Sequence, residues 1–236
     1  MRRAGRIVAD VLALAEEELR PGVTTAELDA KAEAYIRKAG AMPSFKGYRG
    51  FTGSICVSIN EEIVHGIPGS RVIEEGMVVS VDAGAIWKGY HGDAARTFYV
   101  GTPSADVTRL LDTTRLALMA GIAAAKPGAT IEDIAGAVED VAVEGRCDIV
   151  RPYVGHGIGT RMHEELQVPN YRTGRGTTRL VPGVCMAIEP MFALGSADCA
   201  TLADGWTVVT TDGSLAAHFE HTIAVTENGP VILTTV

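Results

Sequence analysis

The sequence lacks the features that mark membrane, secreted and nucleic-acid-binding proteins. It has no apolar run of about 18 residues, so we expect no membrane-spanning helix, and its first residues do not resemble a signal peptide. Lysine and arginine total 21 against 29 acidic residues, and the net charge of -8 argues against nucleic acid as the main partner. The four cysteines are scattered without a Cys-x-x-Cys pair, which indicates reduced thiols in a cytosolic protein.

Apolar residues make up 47% of the 236, enough for a packed core, and their spacing separates helical from strand-rich blocks. Thr24 and Glu27 have the spacing of a capping box, which predicts the start of a helix. The pattern predicts, in order, helices over 6–19 and 24–40, strands over 53–60, 76–83 and 93–100, helices over 108–125 and from 130, and strands and loops from 150.

Two stretches of the chain repeat at nearly the same distance. Residues 20–28 resemble residues 126–134, and residues 75–82 resemble residues 182–189, at offsets of 106 and 107. A period this long does not suit a solenoid. We therefore predict a single domain over residues 1–236, built from two αα-β halves at about 1–107 and 108–236, with a site between them.

Asp82 and Asp93 form the first candidate site pair. Asp82 follows the apolar stretch Val-Val-Ser-Val, so we expect it at a strand end, and Asp93 is eleven residues further on at the start of the next strand. A hairpin between them would bring both carboxylates to one end of a sheet, where their repulsion calls for a shared proton or a metal. The alternative is two ordinary turn aspartates.

Histidines supply the second candidate cluster, in Gly-His-Gly-Ile-Gly-Thr-Arg-Met-His. His156 lies between two glycines, which allow close approach to an ion, and His163 follows seven residues later, a spacing unlike that of a His-Glu-x-x-His zinc helix. A lone histidine is more often a core or surface group, but the glycines and the second histidine favour a functional site.

Two further acids complete the candidate set. Glu189 lies in an apolar strand before a proline, and Glu220 precedes a β-branched run. Each alone is compatible with a strand-end salt bridge. Together with Asp82, Asp93 and His156 they offer oxygen donors and one imidazole, a donor set that suits Mn²⁺, Fe²⁺, Co²⁺ or Zn²⁺ and not a thiolate site.

These residues lie in motifs that occur in a known family. The chain resembles type I methionine aminopeptidases of peptidase family M24 along its whole length, most strongly over residues 153–171. The supporting motifs are at residues 58–68, 91–93, 187–191, 204–208 and 219–222. The resemblance implies an α+β pita-bread fold, in which two pseudo-symmetric αα-β halves form a curved antiparallel sheet covered by helices. It also implies that a short leading segment of the family is absent.

The resemblance implies two divalent metal ions per chain and a role for each site residue. Asp82 would chelate one ion, Asp93 and Glu220 would bridge both, and His156 and Glu189 would complete the other shell. Glu189 would also move the proton of the attacking water. His65 and His163 would lie outside the shell and contact the leaving nitrogen and the oxyanion, respectively.

The resemblance also implies an apolar pocket for a methionine side chain. Its expected walls are Tyr48, Phe51, Cys56, Met162 and Trp206, although plain core packing is an alternative, above all for Cys56. The sequence departs from the family at three places. Arg49 replaces a frequent histidine, Met162 replaces a frequent aromatic residue, and the Asp-Ala-Gly sequence at 82–84 is closer to Xaa-Pro peptidases.

The implied function is removal of the N-terminal methionine from peptides and nascent proteins. We expect a cytoplasmic monomer, with the ribosome as a candidate place of action. An Xaa-Pro aminopeptidase or dipeptidase of the same fold is the main alternative. A non-catalytic binding protein on that fold is the other, although such a protein is expected to lose metal ligands.

Overall fold

The computed structural model describes residues 1–235. Four α-helices lie in two consecutive pairs, each pair followed by strands: α1 (Arg2–Glu18), α2 (Thr25–Lys38), α3 (Ala105–Ala124) and α4 (Ile131–Gly145). A short 3₁₀ turn covers Tyr48–Gly50. The prediction of two helical blocks separated by strands is confirmed. Helix α1 begins four residues earlier than expected, and at Gly5, which has no Cβ, its backbone packs closely against Gly92 and the Leu233 carbonyl.

Fifteen mostly short strands make up the rest of the regular structure. They are β1 (Met42–Pro43), β2 (Ile55–Ile59), β3 (Glu62–Val64), β4 (Val78–Trp87), β5 (Tyr90–Tyr99), β6 (Asp148–Ile149), β7 (Gly155–Gly157), β8 (Glu164–Val168), β9 (Cys185–Ile188), β10 (Met191–Ala193), β11 (Cys199–Thr201), β12 (Val208–Thr210), β13 (Ala216–His218), β14 (His221–Thr226) and β15 (Gly229–Ile232). Every pairing between them is antiparallel.

Two larger sheets carry most of the packing. In the first, β4 pairs with β5 along one edge and with β1 and β2 along the other. The second has the order β15-β14-β9-β7-β8. Helices α1 and α2 pack on the first sheet and α3 and α4 on the second, and each layer buries its own apolar cluster. Within residues 1–235, none of the helices combines the length and apolarity needed to cross a bilayer.

The β4–β5 hairpin is longer than the sequence predicts. Its turn, Lys88-Gly89, has positive φ at both residues (50° and 81°), which suits a two-residue hairpin and lets both strands run up to it. Asp82 and Asp93 therefore lie within their strands, and the expectation that they mark a strand end and a strand start is wrong. The expected hairpin itself is present.

Equivalent contacts recur in the two helical pairs. Thr24 and Thr130 cap α2 and α4 with the same capping box, and each forms a single bridge to a later residue, Val72 and Arg179. These contacts are spaced by 106 and 107 residues, like the sequence repeats. They support the two-half organisation, while its boundary near residue 107 stays a prediction.

Candidate functional site

The candidate acids meet where the two large sheets are joined. In β4–β5, Asp82 is opposite Ala95 and Asp93 is opposite Gly84, so both carboxylates lie on one face of the sheet. Ala95 exchanges backbone hydrogen bonds with Glu220 (N···O 2.9 and 3.4 Å), which lies between β13 and β14. This pairing brings Glu220 next to the two aspartates.

Threonine hydroxyls strengthen the same junction. The Thr222 hydroxyl accepts from the Asp93 backbone N–H (3.0 Å) and donates to the Asp93 carbonyl (2.7 Å). The Thr97 hydroxyl donates to the His218 carbonyl (2.7 Å) and accepts from the His218 backbone N–H (2.8 Å). All three residues Thr97, His218 and Thr222 are buried, so the junction is held by polar contacts shielded from water.

His156 and Glu189 approach the acids from the second sheet. His156 lies in β7, and Glu189 directly follows β9. The His156 Nε2 atom is 3.7 Å from Asp93 Oδ2 and 3.6 Å from Glu189 Oε1. Its Nδ1 atom lies 2.9 Å from the Gly157 carbonyl; when Nδ1 carries the proton and donates there, the Nε2 lone pair faces the carboxylates.

Burial dominates the electrostatics of this cluster. It raises the pKa of Asp82 to about 7. Burial first, and then the neighbouring acids, raise the pKa values of Asp93, Glu189 and Glu220 well above their usual range. Burial also lowers the pKa of His156. Four carboxylates this close cannot all be ionised without a positive charge between them.

The donor set fits divalent metal ions. Asp82 Oδ1, Asp93 Oδ1 and Glu220 Oε1 are buried and have no hydrogen-bond partner among the described residues. Two sets of donor atoms each lie within 4.8 Å of one another: Asp93, His156 and Glu220, and Glu189, His218 and Glu220. Unpartnered buried oxygens are costly unless a cation binds them, so the cluster is built to hold one or more metal ions.

The two other predicted histidines flank this cluster. His163 lies with its ring centroid 4.1 Å from that of His156, and its Nδ1 is 2.9 Å from the Tyr48 hydroxyl. Burial, followed by the charges of His156 and Arg49, lowers the pKa of His163 to about 4. His65 has a left-handed backbone (φ 62°), and burial lowers its pKa. Burial therefore favours the neutral form of both imidazoles.

An apolar pocket adjoins the acids. Phe51, Cys56 and Met162 are buried in one cluster with the partly exposed Tyr48 and Trp206. The Phe51 and Trp206 rings meet edge to face at 5.1 Å, and the His65 ring lies 6.1 Å from Trp206.

The structure brings all twelve predicted site residues to one cavity of about 180 Å³. Its lining includes the five candidate ligands, both histidines and the five pocket residues, together with Phe45 and Arg49.

Some neighbours of the site were missed or under-weighted in the sequence. Phe45 lines the cavity, and no sequence pattern marks it. His218 is 2% exposed, and its Nε2 is 3.8 Å from Glu189 Oε2 and 3.9 Å from Glu220 Oε2. Strand alternation could have found it, since residues two apart point to the same face. The His91 side chain instead forms a hydrogen bond with Ser44, and the His221 side chain forms one with Thr234.

Comparisons with known proteins agree with this geometry. The model of metallopeptidase family M24 matches residues 1–227. The chain belongs to metallopeptidase family M24. Methionine aminopeptidase 1 of Bacillus subtilis is 52% identical over 236 residues, covering 100% of this chain and 95% of the relative. A methionine aminopeptidase of Clostridium acetobutylicum is 51% identical, covering 99% of this chain and 94% of that protein.

Solved structures of M24 peptidases confirm the pita-bread fold. The crystal structure of methionine aminopeptidase from Thermotoga maritima matches with a TM-score of 0.98 and 41% identity, covering 100% of this chain and 95% of that one. A Xaa-Pro dipeptidase from Bacillus anthracis matches less well, with a TM-score of 0.79 and 27% identity, and this chain covers 59% of it. The resemblance predicted from sequence is therefore confirmed.

Replacing Asp93 by asparagine should separate two contributions to the free energy of unfolding. One is the loss caused by repulsion among the acids, and the other is the gain from metal binding. In metal-free protein, Asp93→Asn removes one of four mutually repelling carboxylates and should raise the free energy of unfolding by about 1–2 kcal/mol. With Mn²⁺ at about 100 times its dissociation constant, the wild type should gain about 3 kcal/mol and the variant much less.

Urea denaturation with and without Mn²⁺ measures both effects. Asp112→Asn is the matched control, because Asp112 is an exposed partner of Arg115 on α3. An Asp93→Asn protein that Mn²⁺ stabilises as much as the wild type would show that Asp93 does not bind the ion.

Proposed function

We propose that the protein removes the N-terminal methionine from peptides and nascent proteins. The observation that carries the proposal is one cavity in which a cluster of metal-binding type, two further histidines and an apolar pocket lie side by side. Relatives about 50% identical over the full length, named methionine aminopeptidases, support the same substrate. The proposal includes a cytoplasmic monomer that acts on chains as they leave the ribosome.

The five residues Asp82, Asp93, His156, Glu189 and Glu220 would hold two divalent ions, of Co, Mn, Fe or Zn. Asp82 would hold one ion, Asp93 and Glu220 would serve both, and His156 and Glu189 would hold the other. When bound, such a pair of ions would supply an acidified water and polarise the peptide carbonyl. Glu189, which lines the cavity beside His156, is the residue we assign to accept the proton of the attacking water.

His163 is proposed to stabilise the oxyanion. Its pKa of about 4 keeps the ring neutral, and when the Tyr48 hydroxyl donates to Nδ1 the ring proton lies on Nε2. A neutral N–H donor held in this way needs no reorganisation as negative charge develops on the carbonyl oxygen. His65, held between the rings of Tyr153 and Trp206, is proposed to contact the leaving nitrogen.

The apolar pocket is proposed to select methionine. Aromatic rings of Phe51 and Trp206 and the thioether of Met162 offer a polarisable lining that suits a second thioether. Burial and the nearby acids raise the pKa of Cys56, so its thiol stays neutral and acts as part of that lining. A charged side chain would lose its hydration there without gaining a partner.

Substrate preference distinguishes this function from the Xaa-Pro alternative. Metal-stripped protein supplied with Co²⁺ or Mn²⁺ should release methionine from Met-Ala-Ser at least about tenfold faster than it cleaves an Xaa-Pro peptide whose first residue is alanine, because the first side chain enters the pocket and alanine makes fewer apolar contacts there than methionine. Chromatography of the released amino acid measures both rates. Faster Xaa-Pro cleavage would overturn the proposal, and cleavage of neither peptide by metal-loaded protein would favour a binding protein.

The variant His163→Ala tests whether His163 contacts the substrate, as proposed, or binds a metal ion. The variant should keep its metal content, because His163 lies outside the proposed shell, and should lose about 100- to 1000-fold in kcat with the oxyanion donor. Metal content is measured after gel filtration, and kcat is measured with a single peptide substrate. His156→Ala is the comparison expected to lose metal. Metal loss in His163→Ala would mean that this histidine is itself a ligand.

A further inference from the structure

A second groove, of about 520 Å³, lies next to the candidate active site. It shares Tyr48, Met162 and His163 with the cavity described above. The two spaces are thus separated only by a common wall, which includes the pocket residue Met162 and the hydrogen-bonded pair Tyr48 and His163. A ligand held in one space could continue into the other.

The groove is basic. Arg37, Lys46 and Arg161 line it, and no aspartate or glutamate is among its lining residues in the described part of the chain. Glu33 pairs with Arg37 (2.7 Å) and Lys46 (2.6 Å), so one carboxylate offsets only one of those two positive charges.

Two further arginines, Arg161 in the groove and Arg49 in the adjoining cavity, carry uncompensated charges. Arg161 and Arg49 are exposed, and neither has an ion-pair partner within residues 1–235. The Arg49 guanidinium lies over the Tyr48 ring, 5.4 Å from its centroid, and lines the active-site cavity. The chain as a whole has a net charge of -8, so this local excess of positive charge opposes the sign of the rest of the protein.

We propose that this groove binds the substrate residues that follow the first peptide bond and favours acidic side chains there. The inference rests on the proposed function. With methionine in the apolar pocket and the first peptide bond beside His163, the peptide leaves across the shared wall and enters the groove. Arg49 on the cavity side and Arg161 in the groove would then face the second to fourth residues after the cleaved bond. The substrate class is thus a peptide with methionine, a small residue and then aspartate or glutamate.

The expected size of the effect is modest. An exposed ion pair contributes up to about fivefold in affinity, and salt weakens it over about 10 Å at 0.1 M ionic strength. Two uncompensated arginines should therefore raise kcat/KM for an acidic peptide about three- to tenfold over that for a basic one. The ratio of the two kcat/KM values should fall towards one at about 0.5 M NaCl.

The test compares Met-Ala-Asp-Glu, Met-Ala-Ser-Ser and Met-Ala-Lys-Lys with Mn²⁺-loaded enzyme. The wild type should cleave the acidic peptide about three- to tenfold more efficiently than the basic one, and the double variant Arg49→Gln/Arg161→Gln should lose this ratio. The control Arg20→Gln/Arg115→Gln removes the same charge from exposed positions outside the groove and should keep the ratio.

The outcomes test the groove inference and the proposed function separately. A wild-type ratio near one, or a ratio that survives in the double variant, would overturn the groove inference while methionine release continued. Loss of the ratio in the control as well would assign it to overall charge and overturn the inference too. Cleavage of none of the three peptides would overturn the proposed function and, with it, the inference.

Discussion

Four carboxylates, two of them buried and two partly buried, lie together where two antiparallel sheets meet, and the surrounding structure depends on how their charge is offset. Asp93 and Glu220 are 3% and 2% exposed, and each keeps an oxygen without a hydrogen-bond partner among the described residues. An unpaired buried carboxylate costs several kcal/mol. A chain that gathers four carboxylates at one site is organised around cations. In its metal-free form the mutual repulsion of these groups lowers the stability.

The same junction connects the candidate metal ligands to the packed sheets of the fold. Glu220 is held by backbone hydrogen bonds to β5. On either side of it the Thr222 hydroxyl joins β14 to β5, and the Thr97 hydroxyl joins β5 to β13. Each sheet is backed by its own pair of helices and its own apolar cluster. The distances between ligands from different sheets therefore rest on two packed cores, which suits a site that must hold its donors in place before substrate binds.

Much of this could be predicted from the sequence, because motif spacing and apolar periodicity report local structure. The helices, the β4–β5 hairpin, the five candidate ligands and His163 followed from such patterns, whereas His65 and the five pocket residues came only from the family resemblance. The position of Asp82 and Asp93 within their strands did not, because the turn at Lys88-Gly89 sets the strand length. Phe45 was missed, since its place at the site depends on contacts between distant segments, and His218 was under-weighted although it lies two residues before Glu220. The basic groove is likewise a product of tertiary packing, because Arg37 and Arg161 are 124 residues apart in the chain.

The most direct test of the account is to locate Mn²⁺ by anomalous X-ray diffraction from crystals of the metal-loaded protein. The account predicts two anomalous peaks at the junction of the sheets, about 3.5–4 Å apart as in other paired-metal sites. Both peaks should contact Asp93 and Glu220, one should contact Asp82, and the other should contact His156 and Glu189. Strong peaks elsewhere with none at this junction, or a single ion that leaves Asp82 without a metal, would contradict it.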